Sequence, residues 1–228
     1  WSISLKTQPK NDTVRICVTA DGYDGSESWP KMTGLFKVGT EKRSGSHIAA
    51  YNYWYNMYKR ETDVFIFTHP DILFTKDTVA TAVEFARNNR YVSFKCFWIP
   101  KVMTQNMSRY NWRRPETMRY ANELFSEDDK EKGEFYFNRN IENIRIWESS
   151  TTYAVNRDTA ARMFPFPDLG HQGYDDPYQV GLRRKLGIVN TTVMNPILFH
   201  QWHPQTWAGT SEEAVKEAAE LLSKVNVV

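Results

Sequence analysis

Val64-Phe-Ile-Phe-Thr-His-Pro-Asp-Ile72 is the stretch of this sequence from which we derive the expected fold. Its first four residues are apolar without a polar interruption, which favours a strand buried on both faces, as in a parallel sheet. The polar turn that follows carries His69 and Asp71. Ligands of open α/β sheets bind beyond the carboxyl ends of such strands. An acidic residue there can hold a metal ion and, through it, a phosphate, although Asp71 also suits the simpler role of a helix cap.

Strand patterns and helical patterns alternate on both sides of this stretch. The strand patterns cover residues 14–19, 63–68, 91–98, 150–155, 189–194 and 197–200. The helical patterns cover residues 46–60, 76–88, 157–164, 178–186 and 214–225. Such alternation is typical of a parallel α/β sheet. We therefore expect one α/β domain over residues 1–228, with a mixed, mainly parallel sheet flanked by helices.

The composition is that of a soluble globular protein, since 41% of the 228 residues are hydrophobic and 25% are charged. A net charge of +2 is too small to indicate nucleic acid as a partner. No apolar run is long enough to cross a bilayer and no signal peptide is visible, so we expect no transmembrane segment and a cytoplasmic location. Because the chain begins with Trp rather than Met, we expect it to be part of a longer protein or a processed form.

Four polar clusters fall where these patterns place strand ends or helix starts. They are Asp21 with Asp24, His69 with Asp71, Gly170-His-Gln-Gly-Tyr-Asp-Asp-Pro177, and His200-Gln-Trp-His-Pro204. If the sheet is parallel, its strand ends lie along one edge, and the four clusters can meet there.

Such a meeting suits the chemistry of a nucleoside diphosphate, whose negative charges need a cation. A divalent metal ion held by a carboxylate and an imidazole neutralises that charge, and Asp71 with one of His200 or His203 is a suitable pair of ligands. A separate carboxylate, Asp175 or Asp176, can take a proton from an incoming hydroxyl. Two simpler interpretations remain open: the Asp pair can cap the following helix, and the His pair can belong to an ordinary surface hairpin.

The order and spacing of these motifs resemble the nucleotide-diphospho-sugar transferases of the GT-A fold, close to the family-2-like group. The resemblance rests on Val18-Thr-Ala-Asp-Gly-Tyr-Asp-Gly-Ser26, Gly45-Ser-His-Ile-Ala-Ala-Tyr-Asn52, Phe65-Ile-Phe-Thr-His-Pro-Asp-Ile72, Gly173-Tyr-Asp-Asp176 with Leu182-Arg183, and His200-Gln-Trp-His203. It covers nearly all of residues 1–207. It implies a GT-A-like Rossmann-type sheet and the transfer of a sugar from a nucleotide-diphospho-sugar to a hydroxyl of a glycan or another acceptor. The reaction implied is assisted by Mn²⁺ or Mg²⁺ and inverts the anomeric configuration.

The resemblance also implies which residues bind the donor. Asp21, in the turn that also carries Asp24, would contact the nucleotide base or ribose. Asp71 would bind the metal ion and, through it, the diphosphate. His69 stands where the first Asp of the family's Asp-x-Asp motif is found and belongs to the same binding turn.

Two further roles follow by position. His203, or else His200, would complete the metal site. Asp176, with Asp175 as the rival assignment, would be the general base that acts on the acceptor hydroxyl.

Two departures from the family's pattern favour a different class of function. His69 replaces the first Asp of Asp-x-Asp, and Tyr51 replaces an Arg that follows Ala in the family's helix motif. They suggest, as the alternative, a non-catalytic glycan-binding or nucleotide-binding module of the same fold. A metal-dependent phosphohydrolase on a related sheet is a third possibility.

Overall fold

The computed structural model describes eight segments of the chain, which are residues 17–20, 36–39, 47–69, 72–74, 77–98, 152–169, 173–200 and 212–226. Within these segments the strands are β1 (Cys17–Ala20), β2 (Phe36–Gly39), β3 (Val64–Thr68), β4 (Ile72–Leu73), β5 (Tyr91–Trp98), β6 (Thr152–Asn156) and β7 (Asn190–His200). The helices are α1 (Ile48–Tyr58), α2 (Thr78–Asn89), α3 (Arg157–Met163), α4 (Asp175–Lys185) and α5 (Glu212–Ser223).

Five of the described strands form one sheet in the order β3-β6-β5-β7-β4. Strands β5 and β7 run parallel, whereas β4 and β7 run antiparallel, so this sheet is mixed and partly parallel. Strands β1 and β2 pair in parallel in a separate two-stranded sheet. The mixed α/β class that the sequence predicts is therefore confirmed.

The burial expected for the apolar stretch at β3 is wrong. Only Phe65 and Phe67 are buried in this strand, and the residues between and beside them are partly exposed. Among the described strands β3 lies at one end of the sheet order, where one face packs on the core. Burial therefore alternates along β3 with a period of two residues, but the sequence does not show this alternation because the partly exposed Val64 and Ile66 are also apolar.

Four helices begin at residues other than those predicted. Helix α1 starts at Ile48 rather than at residue 46, and helix α5 starts at Glu212 rather than at residue 214. Helix α2 starts at Thr78 rather than at residue 76, because Asp77 has a left-handed φ of 66° and cannot continue a right-handed helix. Helix α4 starts at Asp175 rather than at residue 178, so that both carboxylates of the Asp pair lie in its first turn. Negative charges are favourable at that end of a helix, and Pro177 is tolerated there because the first N–H groups have no intrahelical partner.

A single strand, β7, replaces the two short strands predicted over residues 189–194 and 197–200. Its pairing with β5 shifts register between Phe94 and Cys96. Pro196 lies within β7 and has no N–H to donate to a ladder, which is why the sequence pattern appears interrupted there.

Aromatic rings link three neighbouring strands. The ring of Tyr153 in β6 stacks on the rings of Phe67 in β3 and Tyr91 in β5, with centroid distances of 5.1 Å and 5.2 Å. Aromatic cross-strand pairs stabilise a sheet beyond the area that they bury. The hydroxyls of Thr68 and Thr152, 2.8 Å apart, add a hydrogen bond between β3 and β6.

The chain divides into two compact units. The first takes its described residues from Ile66–Ala154 and Asn190–Thr206, and the second takes them from Lys10–Phe65, Val155–Val189 and Trp207–Val228. The single domain expected over residues 1–228 stays a prediction. None of the helices in the described segments has the length and apolar character that crossing a membrane requires.

Helices and a turn build the core of the second unit. The ring of Tyr55 in α1 stacks on the ring of Phe164, with 4.7 Å between the ring centroids. The centroids of Phe164 and Phe166 are 4.3 Å apart, and the ring of Phe166 meets that of Tyr178 in α4 edge-on at a centroid distance of 6.2 Å. The peptide bond between Phe164 and Pro165 is cis. These ring contacts join α1 to α4 through the turn that follows α3.

Candidate functional site

A short contact between the imidazole of His47 and the carboxylate of Asp175 joins the start of α1 to the start of α4. The Nε2 atom of His47 lies 2.9 Å from Oδ2 of Asp175. The other carboxylate oxygen, Oδ1, accepts a 3.0 Å hydrogen bond from the backbone N–H of Gly173. The Asp175 side chain is only 6% exposed, so this carboxylate is buried with a nitrogen atom within 3.0 Å of each of its oxygens.

These contacts determine the charge state of Asp175. Burial alone would raise the pKa of Asp175, but the hydrogen bond from His47, the charge of His47 and the backbone N–H groups of Gly173 and Asp175 outweigh it. The pKa of Asp175 is therefore lower than the ordinary value for an aspartate. Asp175 is an anchored, ionised group at neutral pH.

The adjacent carboxylate, Asp176, has the opposite environment. Burial, reinforced by the negative charge of Asp175, raises the pKa of Asp176 to about 6, while the charge of His47 partly opposes the rise. Asp176 keeps some exposure to solvent. Two neighbouring carboxylates whose pKa values are pushed apart are the arrangement in which one group holds a charge and the other exchanges a proton.

The backbone around the Asp pair is held by side chains of the same unit. Asn52 of α1 donates from Nδ2 to the carbonyl of Phe166 at 2.7 Å and accepts from the Phe166 N–H at 2.8 Å. The Tyr174 hydroxyl donates to the carbonyl of Pro167 at 2.6 Å and accepts from the N–H of Leu169 at 3.1 Å. Because Tyr174 immediately precedes α4, these bonds fix the position from which Asp175 and Asp176 project.

A buried polar stripe continues along α4 from Asp175. Gln179 and Arg183 follow at intervals of four residues, which places all three on one face of the helix. Arg183 donates from Nη1 to the carbonyl of Ile188 at 3.0 Å, next to the end of the helix. Gln179 is 1% exposed, and neither its Nε2 nor its Oε1 has a hydrogen-bond partner in the described segments.

The first unit contains the described residues of the predicted metal site. His200 is the last residue of β7 and is 5% exposed. It pairs with Ile72 of β4 in antiparallel register and with Trp98 of β5 in parallel register. His69 follows β3, and its carbonyl accepts a 3.3 Å hydrogen bond from the N–H of Ile72. The pairing thus brings His200 opposite the residue that follows Asp71 in the sequence.

Four of the predicted site residues lie outside the described segments: Asp21, Asp24, Asp71 and His203. The described residues by themselves contain no group of three or more His, Cys, Asp or Glu side chains able to hold a metal ion. Of the predicted metal ligands they include only His200, so they do not constitute the complete ligand set proposed from the sequence.

Sequence reasoning assigned no role to His47 or Gln179. His47 lies in the quoted helix motif, and its signal was its place in the first turn of the helix predicted over residues 46–60, where a polar side chain can reach a neighbouring segment. Gln179 follows Asp175 by four residues, but this spacing indicates a shared helix face only when the helix begins at Asp175, three residues before the predicted start. Neither signal identifies a partner distant in sequence.

Comparison of the chain with protein-family models gives no match, and comparison with curated proteins gives none either.

Proposed function

We propose that this protein is a glycosyltransferase that moves a sugar from a nucleotide-diphospho-sugar to a hydroxyl of a glycan or another acceptor, with inversion at the anomeric carbon. The observation that carries the proposal is the division between the two carboxylates at the start of α4. Asp175 is anchored and ionised, and the pKa of Asp176 is raised to about 6. The mixed, partly parallel sheet supports the finer assignment to a GT-A-like, Rossmann-type fold.

The reaction needs a base, because an alcohol is a poor nucleophile until its proton is removed. In the proposed step the acceptor oxygen forms a bond to the anomeric carbon and gives its proton to Asp176. The bond from that carbon to the diphosphate breaks, and the nucleoside diphosphate leaves with the bonding electrons. A carboxylate with a pKa near 6 is largely ionised at neutral pH and is more basic than an ordinary aspartate, which suits this role.

The donor side of the proposal rests on the motif resemblance. Asp71 with His203, or else His200, would hold Mn²⁺ or Mg²⁺, and His69, Asp21 and Asp24 would line the donor site. A divalent cation there would neutralise the charge of the diphosphate. The pairing of His200 with Ile72 supports this part, because it sets an imidazole-bearing residue opposite the neighbour of Asp71 in the sequence.

A direct test is to incubate the full chain with a panel of nucleotide-diphospho-sugars, Mn²⁺ and candidate acceptors, and to follow the release of nucleoside diphosphate. We expect release with at least one donor. In that positive case Asp71→Ala and Asp176→Ala should each lose most of the activity. Equal release by either variant and the parent would contradict the corresponding site assignment.

One observation favours the alternative, a catalytically inactive glycan-binding or nucleotide-binding module. Tyr51 stands at the position of the family's Arg, is 7% exposed, and contacts the ring of His47 at 4.8 Å. This position therefore contributes to the core rather than presenting a cation. Calorimetry separates the two functions, because a binding module would bind glycans with no response to Mn²⁺ or to a nucleoside diphosphate.

A further inference from the structure

The two oxygens of the Asp175 carboxylate are occupied by donors from different parts of the chain. His47 reaches Oδ2 from the residue that precedes α1, and Gly173 reaches Oδ1 from the residue two positions before Asp175. The His47 ring is itself held in place, since it contacts the buried ring of Tyr51 at 4.8 Å. The orientation of Asp175 is therefore set by α1 as well as by its own helix.

Asp176 differs from its neighbour in every one of these respects. In the described segments no hydrogen bond or ion pair reaches its carboxylate, and its side chain keeps some exposure. The charged groups that act on it are Asp175 from its own helix and His47 from the start of α1. The geometry thus gives one carboxylate fixed contacts and leaves the other available to a substrate.

We propose that His47 is a positioning residue for the reaction proposed above: its 2.9 Å contact with Asp175 makes Asp175 the anchored, charged member of the pair and leaves Asp176 as the member that exchanges the proton. This inference rests on the proposed function for its chemical meaning. His47 acts through Asp175 and has no contact with substrate in this role.

The physical basis is the cost of two negative charges side by side in a partly buried place. A donor on one carboxylate lowers the free energy of its ionised form, which makes it the first of the pair to lose its proton. Without His47, Asp175 would keep only the backbone N–H groups of Gly173 and Asp175, and the doubly ionised pair would lose the favourable charge of His47. The second ionisation of the pair would then need a higher pH.

Two substitutions separate the polar contact between His47 and Asp175 from the packing of the His47 ring. His47→Phe keeps a ring against Tyr51 but removes the donor. His47→Gln keeps an N–H donor but removes the ring. Asn56→Ala is the matched control on the same helix, because Asn56 is exposed and its side chain accepts a hydrogen bond from the exposed Lys59.

The experiment is an NMR titration of the full chain, with its aspartate carboxyl carbons labelled with ¹³C, for the parent and the three variants. In the parent we expect the higher apparent pKa of the Asp175–Asp176 pair near 6. His47→Phe should raise this apparent pKa by about one unit. His47→Gln should raise it by less than half as much, and Asn56→Ala should leave it unchanged. An unchanged apparent pKa in His47→Phe would overturn the proposal, whatever happens to activity.

Activity then separates this inference from the proposed function. If the parent turns over a nucleotide sugar, His47→Phe should lower kcat about tenfold with little change in the KM for the donor. The acid limb of the pH profile of kcat should move to higher pH together with the apparent pKa of the Asp175–Asp176 pair. A fall in kcat with no movement of the limb would mean a merely structural role and would overturn the inference. If the carboxylates titrate as expected but no nucleotide sugar is turned over, the positioning by His47 stands and the proposed function fails.

Discussion

Asn52 and Phe166 are joined by a pair of hydrogen bonds, one in each direction, between the amide of Asn52 and the backbone of Phe166. The pair ties α1 to the turn that precedes α4, and the Asp pair begins α4. Asn52→Ala leaves the N–H and the carbonyl of Phe166 without these partners. We expect a loss of about 2 kcal/mol in the free energy of unfolding, measured by urea denaturation.

Asn56→Ala is the control for that prediction. Asn56 lies one turn further along α1, where its side chain accepts a hydrogen bond from the exposed Lys59. Its substitution should change the free energy of unfolding by no more than about 0.5 kcal/mol. Equal effects of the two substitutions would mean that the Asn52–Phe166 pair does not contribute specifically.

The raised pKa of Asp176 predicts a pH-dependent effect on stability. An unfolded aspartate loses its proton near pH 4, whereas Asp176 in the folded chain loses its proton near pH 6. The folded state therefore binds more protons between these values, and Asp176 lowers the stability progressively as the pH rises from about 4 to above 6. Asp176→Asn removes this cost. Between pH 4 and pH 8, the free energy of unfolding of this variant should rise by about 2 kcal/mol relative to that of the parent.

Urea denaturation at several pH values measures this gain. Asp158→Asn is the control, because Asp158 is an exposed carboxylate in the first turn of α3. The free energy of unfolding of Asp158→Asn should remain within about 0.5 kcal/mol of that of the parent over the same pH range. A gain that is the same at pH 4 and pH 8 for Asp176→Asn would show that the carboxylate is not perturbed as described.

The buried side chain of Gln179 leads to a separate prediction about stability. Its amide is buried on α4 and has no hydrogen-bond partner in the described segments. Burying an unpaired amide is unfavourable, so Gln179→Met, which keeps the approximate volume, should raise the free energy of unfolding by about 1 kcal/mol. Gln179→Ala should be less stable than Gln179→Met by about 2 kcal/mol, because it leaves a cavity. A clear loss of stability in Gln179→Met would mean that the amide has a partner that stabilises the fold.

Elements with strong periodicity could be predicted from the sequence. Strand β5 has the predicted bounds, Tyr91–Trp98, and α1 lies within the predicted helix over residues 46–60. The start of α4 could not be predicted in the same way, because Asp175, Asp176 and Pro177 continue no apolar pattern. The one-sided burial of β3 was missed for the opposite reason, since partly exposed Val64 and Ile66 are as apolar as the buried residues beside them.

The candidate site could likewise be predicted only in part from the sequence. The sequence located the Asp pair near the start of a helix, but it left Asp175 and Asp176 as rivals for the role of base. Their different environments depend on His47, which is distant in sequence and is brought close by the packing of α1 and the turn after α3 against α4. No local pattern carries that information. The proposed role of Asp176 stays a prediction.

The most direct measurement of the central claim is the pH dependence of kcat/KM for nucleoside diphosphate release by the full chain, with a donor from the panel, Mn²⁺ and an acceptor. We predict that kcat/KM rises with pH through an apparent pKa near 6 and then levels off. Asp176→Asn should lose at least about 100-fold in rate and should lose this acid limb, while Asp158→Asn keeps both. An Asp176→Asn variant with the rate and pH profile of the parent would contradict the claim that Asp176 accepts the proton.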